Sequence, residues 1–457
     1  MGGQLTPPRR RTRSRHLCRR AEAQGSAGLH RPRDTEHGHH KASGYDSKVV
    51  SARRQVSRVS FENDVVVVGG GGHVGLPLAI ALASRGQRTV VYDVAEAAVS
   101  RIRHAQMPFI EPGADEVLAK VVAEGMLTAT TDPSAVASAE NVIVVIGTPV
   151  DEHLNPDPNA IPRALSTCAP FFRDGQLLAL RSTIYPGVTA LVREMVEQMG
   201  IDMDVAFCPE RIAEHKAMTE LFELPQIVSG YTPRAIERAG VLFGCLTDSI
   251  VELTPEEAEL AKLFTNTWRY IKFAAVNQFY MMANSKGVDF ERVRAGLTHD
   301  YPRAQDMPGP GFAAGPCLFK DTMQLAAFSD NTFQLGHAAM LVNEGLPLYI
   351  ASQLEQSHDL SDKTVGILGM AFKAGSDDIR SSLSYKLQRV LRFKAHEVIA
   401  TDPHVPASID SSLLSLDEVL GRADILIVAT PHKEYRDIET DKPVADVWNI
   451  LGNGVLI

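Results

Sequence analysis

The first sixty or so residues show no apolar periodicity. Asp64 then opens onto an unbroken apolar run, Val65-Val66-Val67-Val68. A short apolar run bounded by glycines reads as a strand buried on both faces. A glycine-rich turn follows, and the apolar spacing over residues 74–84 predicts a helix. Residues 89–92 predict a second strand, closed by Asp93. The strand pattern returns at 142–146, 177–181 and 204–207, with helical stretches between. Strands alternating with helices predict an α/β protein with a doubly wound parallel sheet.

The pattern changes at Thr254-Pro255-Glu256-Glu257. This is an N-cap, a proline at the first helical position and an acidic first turn. Leu260, Leu263, Phe264, Tyr270 and Phe273 carry the helix onward, to an end near Gly287. Alternation then resumes: a strand over 363–369, a helix over 384–393, a strand over 397–400 closed by Asp402, and a strand over 423–429. The prediction is two Rossmann-like doubly wound parallel-sheet domains joined by a long central helix. The expected division is a tail (1–60), a dinucleotide-binding domain (61–240), a central helical region (241–350) and a second βα domain (351–457).

Charge marks the first of these boundaries. Residues 1–60 hold 14 Lys+Arg against 4 Asp+Glu, a net of +10, while the remainder nets −19. An acidic body excludes a general nucleic-acid binder, and an anionic ligand would need local donors. The tail reads as disordered, as an Arg-rich transit peptide, or as a non-native segment ahead of a true start near Val56 or Val59. Its His37-Gly38-His39-His40 run reads as solvated, and no metal site is expected. No apolar run nears the ~20 residues of a membrane-spanning helix. The five cysteines are odd in number and form no CxxC pair. That points to a reducing, cytoplasmic setting.

Four features carry chemistry. Gly70, Gly72 and Gly75, with His73 and Val74 between, fit GxGxxG in its strand–turn–helix setting. Such glycines let backbone N–H groups approach a pyrophosphate. Asp93, 23 residues after Gly70, suits ribose hydroxyls and repels a 2′-phosphate, which favours NAD over NADP. Lys262 and Asn266 are four residues apart on one helix face. They read either as surface groups beside Glu259 or as a pair that stabilises negative charge on an oxygen. A glycine-rich loop, Gly309 to Gly315, delivers Cys317, followed by Lys320-Asp321. This cysteine is inert or an activated nucleophile; Cys168, Cys208 and Cys245 read as core. Glu210, at a strand end, is a surface carboxylate or a general acid or base.

Together these residues resemble the UDP-glucose/GDP-mannose dehydrogenase family, the UDP-sugar 6-dehydrogenases, over about residues 61–457. The likeness rests on ordered motifs: the turn through Pro77, Gly147-Thr148-Pro149, Ser182-Thr183 with Pro186-Gly187, Pro209-Glu210, Glu259 with Lys262 and Asn266, Gly311 to Asp321, and Gly369 to Lys373 with Asp377-Asp378-Ile379-Arg380. The resemblance implies an NAD-dependent, four-electron oxidation of a sugar C6 alcohol to a carboxylate. It assigns Cys317 the attack on the intermediate aldehyde, through a thiohemiacetal and a thioester. Lys262 and Asn266 would stabilise oxyanions, and Asp321 would orient Lys262 or place water. Glu210 and Thr183 would assist proton transfers, and Thr148 would join the cofactor site. Gly311, Phe372, Lys373 and Arg380 would hold the UDP-sugar, with Arg303 reaching it across the interface of a homodimer or higher oligomer.

Ala313-Ala314-Gly315-Pro316-Cys317 and Pro209-Glu210-Arg211-Ile212 depart from the commonest family pattern. Both look more like the branch oxidising UDP-N-acetylmannosamine or UDP-N-acetylglucosamine than the UDP-glucose branch, which is the alternative. A two-electron β-hydroxyacid dehydrogenase and an inactive nucleotide-binding protein are the rivals from outside the family. Cys317 and the second βα domain argue against the first, and Cys317, Lys262, Asn266 and Asp321 together argue against the second.

Overall fold

A computed structural model describes residues 60–457, apart from 149 and 152. The tail and its histidine run lie outside the described residues. The larger sheet has eight strands in the order β3-β2-β1-β4-β5-β6-β7-β8. They are β1 (Asn63–Val68), β2 (Thr89–Tyr92), β3 (Leu127–Thr130), β4 (Ala139–Val144), β5 (Leu177–Leu180), β6 (Asp204–Phe207), β7 (Gln226–Gly230) and β8 (Ile250–Leu253). All neighbours pair in parallel except β6 and β7. The valine run divides by parity. Val65 and Val67 face one core layer with Leu76 and Ile80, while Val66 and Val68 face another with Leu165 and Val192. Burial on both faces is why β1 needs no polar alternation.

The smaller sheet is all parallel, in the order β10-β9-β11-β12. Its strands are β9 (Thr364–Leu368), β10 (Glu397–Thr401), β11 (Ile425–Val428) and β12 (Val444–Asp446). In both sheets the chain reverses its winding beside the first strand, between β1 and β4 and between β9 and β11. Such switch points are where open α/β sheets bind ligands.

Between the sheets runs the helix Pro255–Asn284. At 1.5 Å per residue it is about 45 Å long. Thr254 and Glu257 form a full capping box at its start. It ends three residues short of Gly287, which sits at φ +65° in the following turn. The helices Leu318–Phe328 and Gln334–Ser357 pack along it. The second of these, with Pro347 inside it, has no counterpart in the sequence reading. The predicted strand at 142–146 also differs: β4 stops at Val144, and the next residues leave the sheet toward the site described below.

Candidate active site

Four chain segments build the site. The first is the turn after β1. Gly69, at φ +75°, lies so close to Val145 that a Cβ would stand 2.2 Å from that carbonyl oxygen. A Cβ on Gly75 would stand 2.7 Å from the Gly69 oxygen, so this glycine lets helix Gly75–Ser84 press against the strand end. Gly72 is the opposite case, because a Cβ there would meet nothing within 4 Å. Open space therefore lies at a helix N-terminus whose first N–H groups lack intrahelical partners. Asp93 closes β2 beside it, accepting the Gly71 N–H at 2.9 Å and the Ala95 N–H at 2.9 Å. A glycine cradle with a carboxylate at the end of the neighbouring strand fits an adenine dinucleotide. Val74 is half-buried as the residue before the helix. His73 stacks on Phe109 with 4.0 Å between ring centroids, and its Nδ1 lies 2.8 Å from Glu214 Oε1.

The second segment comes from the ends of β4, β5 and β6. Thr148 Oγ1 donates to the Thr183 carbonyl at 2.5 Å, and the Thr148 carbonyl accepts from Gln324 at 3.4 Å. The two strand-end loops are thereby tied to the helix that follows Cys317. Glu210 departs from expectation. Its Oε2 takes the Arg181 guanidinium and its Oε1 takes the N–H groups of Arg211 (2.7 Å) and Ile212 (3.0 Å). Arg181 is fully buried and also reaches the Cys208 carbonyl and Gln226. Both oxygens of Glu210 are thus saturated, and none is left to hold a water for proton transfer.

The third segment is the long helix. Lys262 is buried, and it has no hydrogen-bond or ion-pair partner among the described residues. Burial pushes its pKa down, against the opposing charges of Asp321, Cys317 and Glu210. Asn266 donates to Asp321 Oδ2 at 2.5 Å. Asp321, fully buried, takes Lys320 rather than Lys262, with Nζ 2.5 Å from Oδ1. Lys320 also lies 3.5 Å from Thr148 Oγ1. No hydrogen bond joins Asp321 to Lys262 among the described residues, although its charge acts on Lys262; its Oδ2 accepts from Asn266 and its Oδ1 faces Lys320. Glu259, one turn before Lys262, is no surface group either. It accepts the Gly187 N–H (2.7 Å), the Thr189 N–H (2.9 Å) and the Thr189 hydroxyl (2.5 Å). It caps helix Val188–Met199 and fixes the Thr183–Gly187 loop to the long helix. Nothing local in the sequence marks that role.

The fourth segment is the glycine loop with the second-sheet turn behind it. Gly311 adopts φ +147° against Trp448, and Asn277 clamps its N–H (2.9 Å) and carbonyl (3.0 Å). Gly315, at φ +99°, leaves only 2.6 Å between a Cβ and the Phe372 ring. A side chain at either glycine would push the loop off its neighbours. Cys317 then caps helix Leu318–Phe328. Solvent reaches this residue, yet protein crowds it closely enough that burial, with Asp321, raises its pKa against Lys262 and Lys320. An accessible sulfur among dense surroundings marks a concave position. Cys168 and Cys208 are core, as expected, with burial pushing their thiols up to about 11 and about 12.

Behind the loop, Lys373 donates to the Glu214 carbonyl at 2.7 Å, and Arg380 forks onto Asp378. Cys317, Lys262, Asn266, Asp321, Thr148 and Thr183 are gathered together, with Phe372 and Arg380 on the second-sheet side. Arg303 is not gathered with them. It is exposed and bonds to Tyr301 of its own loop.

Comparison with known proteins agrees with this layout. Family models of the UDP-glucose/GDP-mannose dehydrogenase family match as an NAD binding domain over residues 63–244, a central domain over 256–345 and a UDP binding domain over 366–453. A UDP-N-acetyl-D-mannosamine dehydrogenase of Pyrococcus horikoshii is 31% identical over 403 residues, covering 85% of this chain and 93% of its own. An NDP-N-acetyl-D-galactosaminuronic acid dehydrogenase of Ralstonia solanacearum is 29% identical, covering 84% of this chain and 94% of its own. Among solved structures, a UDP-glucose dehydrogenase of Pyrobaculum islandicum superposes with a TM-score of 0.78 at 27% identity, over 86% of this chain and 95% of that one. The fold, the site and these matches together place the chain in the UDP-glucose/GDP-mannose dehydrogenase family, as an NAD-dependent oxidoreductase.

Proposed function

We propose that this enzyme oxidises the C6 alcohol of a UDP-N-acetylhexosamine, with UDP-N-acetylmannosamine first among candidates, to the uronic acid. The carrying observation is the cluster in which Asp321 accepts from Asn266 and pairs with Lys320 beside an exposed Cys317, next to a buried Lys262 that is unpaired among the described residues. The Pro209-Glu210-Arg211 and Gly315-Pro316-Cys317 variants, and the names of the Pyrococcus and Ralstonia relatives, support an N-acetylated sugar.

Gly70, Gly72, Gly75 and Asp93 would hold NAD, which would supply the hydride acceptor, with a fresh NAD for each of the two oxidations. The rest falls to the chain's own groups. Lys262 and Asn266 offer N–H donors to the C6 oxygen, where charge develops. The Cys317 sulfur adds to the C6 aldehyde as its proton passes to the C6 oxygen, giving a thiohemiacetal. After the second oxidation, water splits the thioester, releasing the carboxylate and restoring the thiol. A thioester is needed because a thiolate attacks an aldehyde readily and still leaves under hydrolysis. Thr148 and Thr183 hold the wall opposite. Glu210 acts here by fixing Arg181 and the Arg211 backbone, not by moving protons.

Phe372, Lys373 and Arg380 are assigned to the uridine diphosphate, and Gly311 to the sugar-side wall. Arg303 is assigned to the substrate of a partner protomer. The long helix supports that assignment: Phe264, Trp268, Phe279 and Met282 are all about half exposed or more and share one helix face. A homodimer would cover this stripe. No described helix is long and apolar enough to cross a membrane. A free thiol nucleophile and these two nucleotides suit the cytoplasm.

The test is a panel of UDP-N-acetylmannosamine, UDP-N-acetylglucosamine, UDP-glucose and GDP-mannose. The expected result is two NADH per sugar, fastest with an N-acetylated substrate. One NADH per sugar removes the four-electron reading. Cys317→Ala should bind NAD and the UDP-sugar normally and make no acid; normal acid formation by that variant would overturn the thioester route.

A further inference from the structure

The loop after β9, residues 369–382, is held from beneath by a buried pair that the reaction does not use. Asp402 follows β10 and His432 follows β11, and both side chains are fully buried. Asp402 Oδ2 accepts the N–H groups of Met370 (2.7 Å) and Ala371 (2.9 Å) and lies 3.0 Å from His432 Nε2. The other ring nitrogen, Nδ1, accepts the Gly375 N–H at 3.1 Å. A backbone N–H can only donate, so Nδ1 carries no proton. Nε2 must then carry one in order to donate to Asp402. The network admits a single state of the ring, the neutral Nε2–H tautomer. The other groups facing the ring are His404, at 4.9 Å between centroids, and Tyr435, at 5.6 Å. Glu434 lies 3.4 Å from His404, and ligand atoms of Glu434, His404 and His432 all lie within 4.8 Å of one another.

The loop itself is closed. Phe372 N–H donates to the Asp378 carbonyl at 3.0 Å, and Asp378 N–H to Ser376 Oγ at 3.0 Å. Thr430 Oγ1 donates to the Ala371 carbonyl at 2.6 Å. Gly375 is thus the contact between the middle of a closed loop and the sheet beneath it, two residues from Lys373.

We infer that His432 is a positioning residue for the substrate: Asp402 sets its tautomer, and the ring in turn sets the height of Gly375 and so of Lys373. This rests on the proposal that the loop holds the nucleotide sugar. It also gives an asymmetry that can be measured. An asparagine amide reaches the place of Nδ1 and can accept the Gly375 N–H. A glutamine amide reaches the place of Nε2 and serves Asp402 only.

The experiment is steady-state kinetics on the full chain for His432→Asn, His432→Gln and Lys373→Ala, with deuterium uptake measured in the peptide spanning 371–380. His432→Gln should raise KM for the nucleotide sugar about fivefold, the worth of one net hydrogen bond. Its kcat and its KM for NAD should stay within twofold, and uptake in the loop should quicken. His432→Asn should restore both readouts. A ring that merely fills space predicts the reverse order, since asparagine leaves the larger void. Equal KM values for the two amides, or a worse asparagine, overturn the inference. If Lys373→Ala leaves the sugar KM unchanged, the loop does not hold substrate and the underlying assignment falls. If Lys373→Ala raises it and His432→Gln does not, that assignment stands and the positioning role falls. Should the glutamine variant not fold, the asparagine variant decides alone, and raised KM or faster uptake there overturns the inference.

Discussion

The turns after β1 and β9 occupy the same topological place and use it in opposite ways. Each begins with a glycine in the left-handed region, Gly69 at φ +75° and Gly369 at φ +96°, wedged against the strand across the switch point. Each donates to a carboxylate that follows the next strand, the Gly71 N–H to Asp93 and the Met370 and Ala371 N–H groups to Asp402. The first turn then enters a helix at Gly75, while the second runs on to Leu383 before its helix begins. A short turn leaves open space and free helix N–H groups for a pyrophosphate. The long one carries two cationic side chains, Lys373 and Arg380, which the proposed function assigns to the uridine diphosphate. The carboxylates diverge accordingly. Asp93 is half-buried and keeps a side toward the open space, whereas Asp402 is buried under His432. Burial alone would raise the Asp402 pKa, yet His432 and the backbone donors hold it below the usual carboxylate range. On the proposed function, similar folds thus give one carboxylate a place at the ligand and the other a place in the foundation.

The sharpest test of this contrast is stability. Asp402→Ala strands the N–H groups of Met370, Ala371, His404 and Val405, and the proton of His432, in a buried place. Unfolding free energy should fall by about 3 kcal/mol or more. Asp93→Ala frees only two N–H groups, that of buried Gly71 and that of exposed Ala95, and should cost less, about 1–2 kcal/mol. Denaturant titration of both variants reads the difference. Equal losses would show that the two carboxylates play the same structural part.

A smaller effect separates binding from folding at the first turn. Because a Cβ on Gly72 meets no protein atom, Gly72→Ala should melt like the parent enzyme. The added methyl should enter the space where a phosphate approaches and raise KM for NAD by roughly tenfold or more, about 1.4 kcal/mol. The sugar KM should not follow. Gly75→Ala should destabilise instead, since its Cβ would stand 2.7 Å from the Gly69 oxygen. A Gly72→Ala enzyme with normal NAD kinetics would remove the dinucleotide from this turn.

What was legible in the sequence divides along the same line. Val65–Val68, the glycine spacing and the Thr254–Glu257 box could be read because their causes lie within a few residues of each other. Lys262 with Asn266, and Cys317 with Asp321, could be read for the same reason. The supports could not. Glu259 reaches Thr189, Asn277 reaches Gly311, and Asp402 reaches His432 over separations of 70, 34 and 30 residues. Their partners are chosen by packing, and a lone Glu, Asn or His carries no mark of it. Glu210 shows the converse. Its motif was visible, but the buried Arg181 that takes its carboxylate is 29 residues away.

The finest distinction concerns what Asp93 does at its open side. If it faces the ribose hydroxyls, its charge should also repel a 2′-phosphate, and this is separate from its hold on the turn. Asp93→Asn can keep the Gly71 N–H bond through the amide oxygen while removing the charge. Stability should be nearly unchanged. The NAD-over-NADP preference in kcat/KM should fall by about tenfold, the range of one unscreened charge contact near a surface. Most of the change should come from improved use of NADP, because one of the hydroxyl contacts to NAD survives in the amide. An unchanged preference would mean that Asp93 serves the turn alone, which would make it the counterpart of Asp402 in function as well as in place.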